Sequence, residues 1–423
     1  MNIMKGGREE KISQRSLRAK LQRRRVKKLS EDAIPIPLDV LTVDILSKLP
    51  VKSLARFQCV SKLWSSVITD LIKTRNLTQP RLLLVFQPDL LSQCLYFSSY
   101  TYPDPNTNQT FISADKEREI SCGFNCRLYQ YVNGLICCLS NSKQFAIYNP
   151  TTKQSLLLPK VVYDGMTFVD GLFGYDPVEN QYKVFSLVRV YNVEPEYTCQ
   201  VFTLGGPKEQ QWRNINIKDN FTPRCTSERS VCINGIIYYR SVRNVLGTFD
   251  VRFERFDCIQ MPETLLNQSW SSITPVNYQG KLGCIHISYE KNVSAEMWIM
   301  EDHMGKQEWS KITLSITPSR LSYVAGVTRN GEIVIMSKTK WIHPYSDETL
   351  WADYYDLKKN KTITVEIKTN LVIREQYGGH GVRIFCEPDH MENTMALTSS
   401  GAPFRKKKLA TTLKLLFCAA SGC

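Results

Sequence analysis

Four times along this chain a polar residue followed by glycine stands directly before an apolar stretch: Asn133-Gly134, Asn234-Gly235, Gln279-Gly280 and Asn330-Gly331. Such pairs accept the left-handed backbone of a tight hairpin, so each marks a reversal between neighbouring antiparallel strands. The last two intervals are 45 and 51 residues; the first, 101, is about two such units and contains Phe173-Gly174-Tyr175-Asp176. A period of roughly 40–50 residues is that of four-stranded propeller blades. Two units share a second element, a strand, a turn and a strand ending near proline. One runs from Phe145-Ala146-Ile147-Tyr148 through Asn149-Pro150 to Leu158-Pro159, the other from Leu246-Gly247-Thr248-Phe249-Asp250 to Met261-Pro262.

Strands are expected over Arg81–Phe86, Leu95–Tyr100, Phe145–Tyr148, Tyr182–Val190, Cys199–Leu204, Val231–Tyr239, Lys281–Ser288, Glu296–Met300 and Glu332–Ser337. Turn residues separate them and no long amphipathic helix interrupts the series, which points to antiparallel all-β structure, a sandwich or, with the repeat spacing, a propeller.

Residues 34–75 have a different period. Leu41, Ile45, Leu46 and Leu49 recur at helical spacing, and Pro50 then breaks the chain direction. A short helix through Val51–Phe57 comes next. Ser61 is placed to cap a third helix carrying Leu63, Trp64, Val67, Ile68, Leu71 and Ile72. Three short helices in ~40 residues make a very small core, and a piece of that size calls for a partner or a neighbouring domain. The chain is therefore read as an α+β multidomain protein. A basic tail spans 1–33, a three-helix segment 34–75, an all-β propeller-like domain 80–388 and a second tail 391–423.

The net charge of +14 would suggest a nucleic-acid partner if it lay on one face. It does not. Residues 1–29 carry 11 Lys/Arg against Glu9 and Glu10, and Arg405-Lys406-Lys407-Lys408 adds four more positive charges, leaving the rest close to neutral. That distribution argues against a basic binding face on the folded domain. The cluster Arg23, Arg24, Arg25, Lys27 and Lys28 fits a nuclear import address as well as a solvated tail, so nucleus and/or cytoplasm is the expected location. No apolar run approaches the ~20 residues of a membrane span, and no secretory leader is visible. In a reducing compartment the 14 cysteines are expected as small buried apolar side chains rather than disulfides.

Sites for chemistry are not apparent. Cys122 and Cys126 lack a well-spaced second pair, because the adjacent Cys137 and Cys138 point to opposite faces of a strand. His286, His343, His380 and His390 are scattered, and the glycines near 205 and 378–381 lack phosphate-cradling spacing. No cofactor, metal or catalytic residue is expected. The aromatic residues, Phe173, Tyr175, Trp212, Tyr238, Tyr239, Trp270, Trp298, Trp309, Trp341 and Trp351 among them, are expected mostly in the packing between blades.

Residues 34–75 resemble the F-box. The stretches Ile36-Pro37-Leu38-Asp39, Asp44-Ile45-Leu46-Ser47-Lys48-Leu49-Pro50, Lys52-Ser53-Leu54, Arg56-Phe57 and Cys59-Val60-Ser61-Lys62-Leu63-Trp64 carry the likeness together. The domain after it resembles the plant F-box-associated, kelch-like domain through Asn133-Gly134-Leu135-Ile136-Cys137, Tyr148-Asn149-Pro150-Thr151-Thr152-Lys153 and Phe173-Gly174-Tyr175-Asp176-Pro177. The resemblance implies a non-catalytic adaptor of a Skp–cullin–F-box ubiquitin ligase. Its F-box docks on a Skp-type subunit, and through that on a cullin, while the β domain selects a target protein. By match, the residues that meet the Skp-type subunit are Pro37, Leu41, Ile45, Leu46, Leu49, Pro50, Leu54, Val60 and Trp64. Between Pro37 and Ile45 the chain is one residue longer than the commonest family spacing. Two other readings stay open from the residues alone: a propeller that binds protein or glycan with a merely structural helical segment, and a nucleic-acid-associated protein acting through its basic tails.

Overall fold

The computed structural model describes residues 40–397, apart from 88–93, 103–110, 114–115, 122–125, 162–166, 191–195, 206–210, 216–229, 242–244, 267, 269–272, 289–293, 304–305, 317–321, 338–340, 343–349 and 369–381. Pro37, the cluster at 23–28, Cys122, Trp270, His343, His380 and the basic run at 405–408 lie outside the described residues. The chain divides into two compact units at Pro50.

In the first unit the expected helix is α1 (Val40–Ile45), wound as a π-turn and continued by a 3-10 turn over Leu46–Lys48. A π-turn takes up an extra residue without displacing the helix positions beyond it, and it falls where the chain is one residue longer than the F-box spacing. Leu41 and Leu46 are buried there.

The second unit opens with α2 (Val51–Phe57) and α3 (Lys62–Thr78). Ser61 caps α3, its hydroxyl accepting from the Trp64 N–H at 3.1 Å. The helix continues past the expected boundary at 75, and strand β1 (Arg81–Gln87) begins three residues after it ends.

The β domain is a ring of six sheets, the blades of a propeller. Blade two contains β5 (Cys126–Val132), β6 (Leu135–Ser140), β7 (Phe145–Asn149) and β8 (Gln154–Leu157). Blade three contains β9 (Thr167–Asp176), β10 (Gln181–Val190), β11 (Glu196–Thr203) and β12 (Arg213–Ile215). Blade four is β13 (Ser230–Ile233), β14 (Ile236–Arg240), β15 (Leu246–Asp250) and β16 (Arg255–Ile259). Blade five is β17 (Ile273–Tyr278), β18 (Lys281–Ser288), β19 (Ser294–His303) and β20 (Lys306–Leu314). Blade six is β21 (Tyr323–Val327), β22 (Glu332–Ser337), β24 (Leu350–Asp356) and β25 (Lys361–Lys368).

Blade one closes the circle. Its inner strand, β26 (Val382–Glu387), comes from the far end of the chain and pairs antiparallel with β1, Leu84 opposite Cys386; β2 (Cys94–Thr101) and β4 (Lys116–Ser121) complete it, with β23 (Trp341–Ile342) beside β26. A second clasp was not foreseen: β3 (Phe111–Ser113), from between β2 and β4, adds in parallel to the outer edge of blade six, Ile112 opposite Ile367.

The expected turns divide into two kinds. Asn133-Gly134, Asn234-Gly235 and Gln279-Gly280 are two-residue turns with both residues at positive φ (46° and 85° in the first). At Asn330-Gly331 only the glycine is left-handed, and the Gly331 N–H bonds the Thr328 carbonyl, a three-residue turn ending in a glycine bulge. A five-residue turn, the shared element of the sequence, recurs at Asn149–Lys153, Asp176–Asn180, Asp250–Glu254 and Asp356–Asn360. The leading Asn or Asp side chain accepts a backbone N–H two residues on, and the fifth residue has positive φ (60°, 53°, 55° and 49°).

Core strands read as unbroken apolar runs because both faces of each blade are covered. Among the described residues, six apolar clusters fill the six blade interfaces. Alternate residues of one strand serve opposite sides: Leu82 and Leu84 pack towards blade six, Leu83 and Val85 towards blade two. Cys137 and Cys138 separate in the same way, and these two, Cys199, Cys284 and Cys386 are buried thiols. Of the aromatic residues, Phe173 and Tyr239 are core side chains; Tyr175, Trp212, Tyr238, Trp298 and Trp309 are half-buried, and Trp351 is exposed.

Candidate docking surfaces and central cavity

Six of the nine residues matched to the Skp contact fall in the first unit, and all of them but Pro37 are among the described residues. Leu41 and Leu46 are buried, Ile45 and Leu49 half-buried, and Pro50 exposed. Val40 and Val43, outside the matched set, are exposed at 37% and 64%. In the second unit Leu54 is fully buried, whereas Val60 and Leu63 are exposed at 40% and 57%. Trp64 is half-buried, edge-on to Phe57 with ring centroids 5.7 Å apart, so it props α3 against α2 while keeping part of its surface in water.

The other end of α3 is tied to the propeller. The Asn76 side chain donates to the Glu392 carbonyl at 3.0 Å and accepts the Glu392 N–H at 2.9 Å, while the Arg329 guanidinium donates to the Asn76 carbonyl at 3.1 Å. With so short a link to β1, α3 has a fixed bearing on the blades.

Residues 391–397, expected to begin a tail, instead strap blade two. Asn149 is fully buried: its carbonyl oxygen accepts the Thr151 and Thr152 N–H groups, and its amide donates to the Asn393 and Met395 carbonyls, both at 2.9 Å. The Asn393 amide donates to the Asn133 carbonyl and to the Tyr182 hydroxyl, and the Leu397 N–H donates to Gln154. Gly134 is needed beneath the strap: beyond its φ of +85°, a Cβ there would lie 2.5 Å from the Met391 carbonyl oxygen. Two of the motifs that resembled the F-box-associated domain are therefore the seat of this strap.

A cavity of about 630 Å³ runs along the axis, lined by the inner strands β5, β13, β17, β21 and β26, with Asn133, Asn234, Gln279 and Arg329 from the turns at one mouth. A buried polar group borders it. His390 is held neutral, its pKa lowered to about 3 by burial and by Arg81, and its Nδ1 shares a 3.1 Å hydrogen bond with the Tyr131 hydroxyl. Burial raises the Asp389 carboxyl, although Arg329 and Tyr102 partly offset this. Burial also pushes Glu387 up to about 8. Sequence reasoning did not find Glu387, Asp389 or Arg329, because they meet through ring closure and carry no shared local pattern.

A small helical segment followed in the chain by a six-bladed β-propeller is the class of build that the fold defines. Similarity to known proteins makes that specific. Residues 36–76 match the F-box domain, and residues 81–391 match the F-box associated beta propeller domain. F-box protein At1g52495 of Arabidopsis thaliana is 38% identical over 86% of this chain and 88% of its own length. Putative F-box protein At5g50220 is 36% identical over 93% and 100%, and F-box protein DOR 33% over 80% and 89%, both also from Arabidopsis thaliana. The chain belongs to the F-box proteins that carry an F-box-associated β-propeller domain. The finer kelch-type designation is not carried by this match.

Proposed function

We propose that the chain is the target-selecting adaptor of a Skp–cullin–F-box ubiquitin ligase. Its F-box docks on a Skp-type subunit, that subunit joins a cullin, and the propeller holds the target protein. Such a subunit performs no chemistry of its own; it raises the local concentration of target at the ubiquitin carrier. The observation that carries the reading is Val60 and Leu63, apolar and largely exposed at the start of α3, while the end of that helix is fastened to the propeller through Asn76. Covering them with a partner's apolar groove would contribute about 1–2 kcal/mol per side chain. Pro37, Leu41, Ile45, Leu46, Leu49, Pro50, Leu54 and Trp64 complete the contact by family match. Those that are buried here act by holding the docking face in shape.

The test is capture of a co-expressed Skp-type subunit by the full chain. Capture is expected for the unchanged protein and expected to be lost in Val60→Asp/Leu63→Asp with the thermal unfolding midpoint retained. Undiminished capture by that variant would overturn the reading.

A further inference from the structure

The axial cavity contains a carboxyl group that has no counter-ion among the described residues. Glu387, the last residue of β26, lines it half-buried, and no described cation pairs with it. Nearby cations are engaged elsewhere: the Arg329 guanidinium donates to the Asn76 carbonyl at 3.1 Å, and Arg81 faces Glu392 at 3.9 Å. The walls beside Glu387 are aromatic. Tyr129 and Phe385 stack with centroids 4.3 Å apart and planes at 26°, and Tyr131 and Tyr323 line the same space. One polar atom on this wall is also left over. The Tyr129 hydroxyl, in a side chain 6% exposed, is near enough to ease ionisation of Glu387 yet closes no hydrogen bond of ordinary geometry. Gln130, between Tyr129 and Tyr131 in sequence, points the other way and donates to the Gly171 carbonyl of blade three at 3.1 Å, so it takes no part in this wall.

A buried carboxyl without a partner is costly when ionised, and a desolvated cation gains most from ring faces and an unshared carboxylate. The volume is that of a small-ligand site, roughly 300–1,000 Å³. We propose that the axial cavity receives one cationic side chain, a guanidinium or ammonium presented by the target protein, with Glu387 as counter-ion and Tyr129, Tyr131 and Phe385 as walls. The attribution of the cation to a target protein rests on the adaptor reading; the site does not.

Binding moves a proton. The titratable groups that feel Glu387 are Tyr129, Tyr131 and Cys386, all pushed up by burial and neutral at pH 7. Entry of a cation therefore ionises Glu387 itself, and its proton leaves to the buffer.

The full chain is titrated at pH 7 with N-acetyl-arginine methylamide and N-acetyl-lysine methylamide, and with the neutral citrulline counterpart. At least one cationic probe is expected to bind, and citrulline about tenfold more weakly or worse. Glu387→Gln is expected to lose about the same factor while remaining folded by thermal unfolding. The calorimetric heat should change with the buffer's ionisation enthalpy in the unchanged protein and not in Glu387→Gln. Equal binding of citrulline, equal binding by Glu387→Gln, or no binding by either cation at millimolar concentration overturns the proposal. Skp capture is measured on the same preparations. Failed probe binding with intact capture removes the cation site and leaves the adaptor reading standing; lost capture by a chain that binds the probes does the reverse.

Discussion

The buried amide of Asn149 donates to the Asn393 carbonyl 244 residues further along the chain, at 2.9 Å, and to the Met395 carbonyl at the same distance. One side chain thereby holds the five-residue turn of blade two and the strap that crosses it. Asn149→Ala removes both donors and leaves two carbonyls and two turn N–H groups to find other partners. It is expected to cost about 2–4 kcal/mol, read from urea unfolding. Asn393→Ala should couple to it in a double-mutant cycle by more than about 1 kcal/mol; additive effects would show that the strap is held by other contacts.

Gly134 and Gly280 share the same backbone conformation, at φ +85°, but not the same surroundings. A Cβ at Gly134 meets the Met391 backbone oxygen at 2.5 Å, whereas at Gly280 the nearest atom is the Asn234 amide nitrogen at 3.8 Å. Gly280→Ala should cost only the left-handed penalty of about 1–2 kcal/mol. Gly134→Ala should cost distinctly more, because backbone has to move. Equal losses in thermal unfolding would mean that the strap does not press on this turn.

Leu54 and Leu63 separate folding from docking within the F-box. Leu54 is fully buried, and Leu54→Ala is expected to destabilise by about 2–5 kcal/mol. Leu63 is 57% exposed, so Leu63→Ala should leave stability within about 0.5 kcal/mol while weakening capture of the Skp-type subunit. A Leu63→Ala protein that unfolds early would place this side chain in the core instead.

Glu387 gives the fold a pH dependence of definite sign. Burial raises its carboxyl from 4.5 to about 8. Between those values the unfolded chain has released a proton that the folded chain retains, so this group lowers stability as pH rises through that window. Glu387→Gln should match the unchanged protein near pH 4 and gain in melting temperature towards pH 8. A gap that narrows over that range would contradict this account.

Much of the architecture was legible before any coordinates. The polar–glycine pairs carry their own backbone chemistry, and their spacing gave a blade-like period because each blade repeats the same local reversals. Ser61 was recognisable as a cap and Pro50 as a break for equally local reasons. Strands β3 and β26 were not, since β3 is three residues long and β26 gains its meaning only by pairing with β1 some 300 positions earlier. The first residues of the expected second tail proved to be a strap for a comparable reason: Asn393, Met395 and Leu397 read as ordinary polar and apolar residues until Asn149, Tyr182 and Gln154 stand beside them.

The sequence by itself determined the short N-terminal helices, the turn-by-turn rhythm of the β domain and the family resemblance. These depend on propensities and periodicities that act over a few residues. Only the tertiary structure decided that there are six blades, that the ring is clasped twice, and that Glu387 faces an aromatic cavity with no counter-ion among the described residues. Those features arise when the two ends of the β domain meet, and no local pattern records which distant residues will be neighbours once a ring has closed.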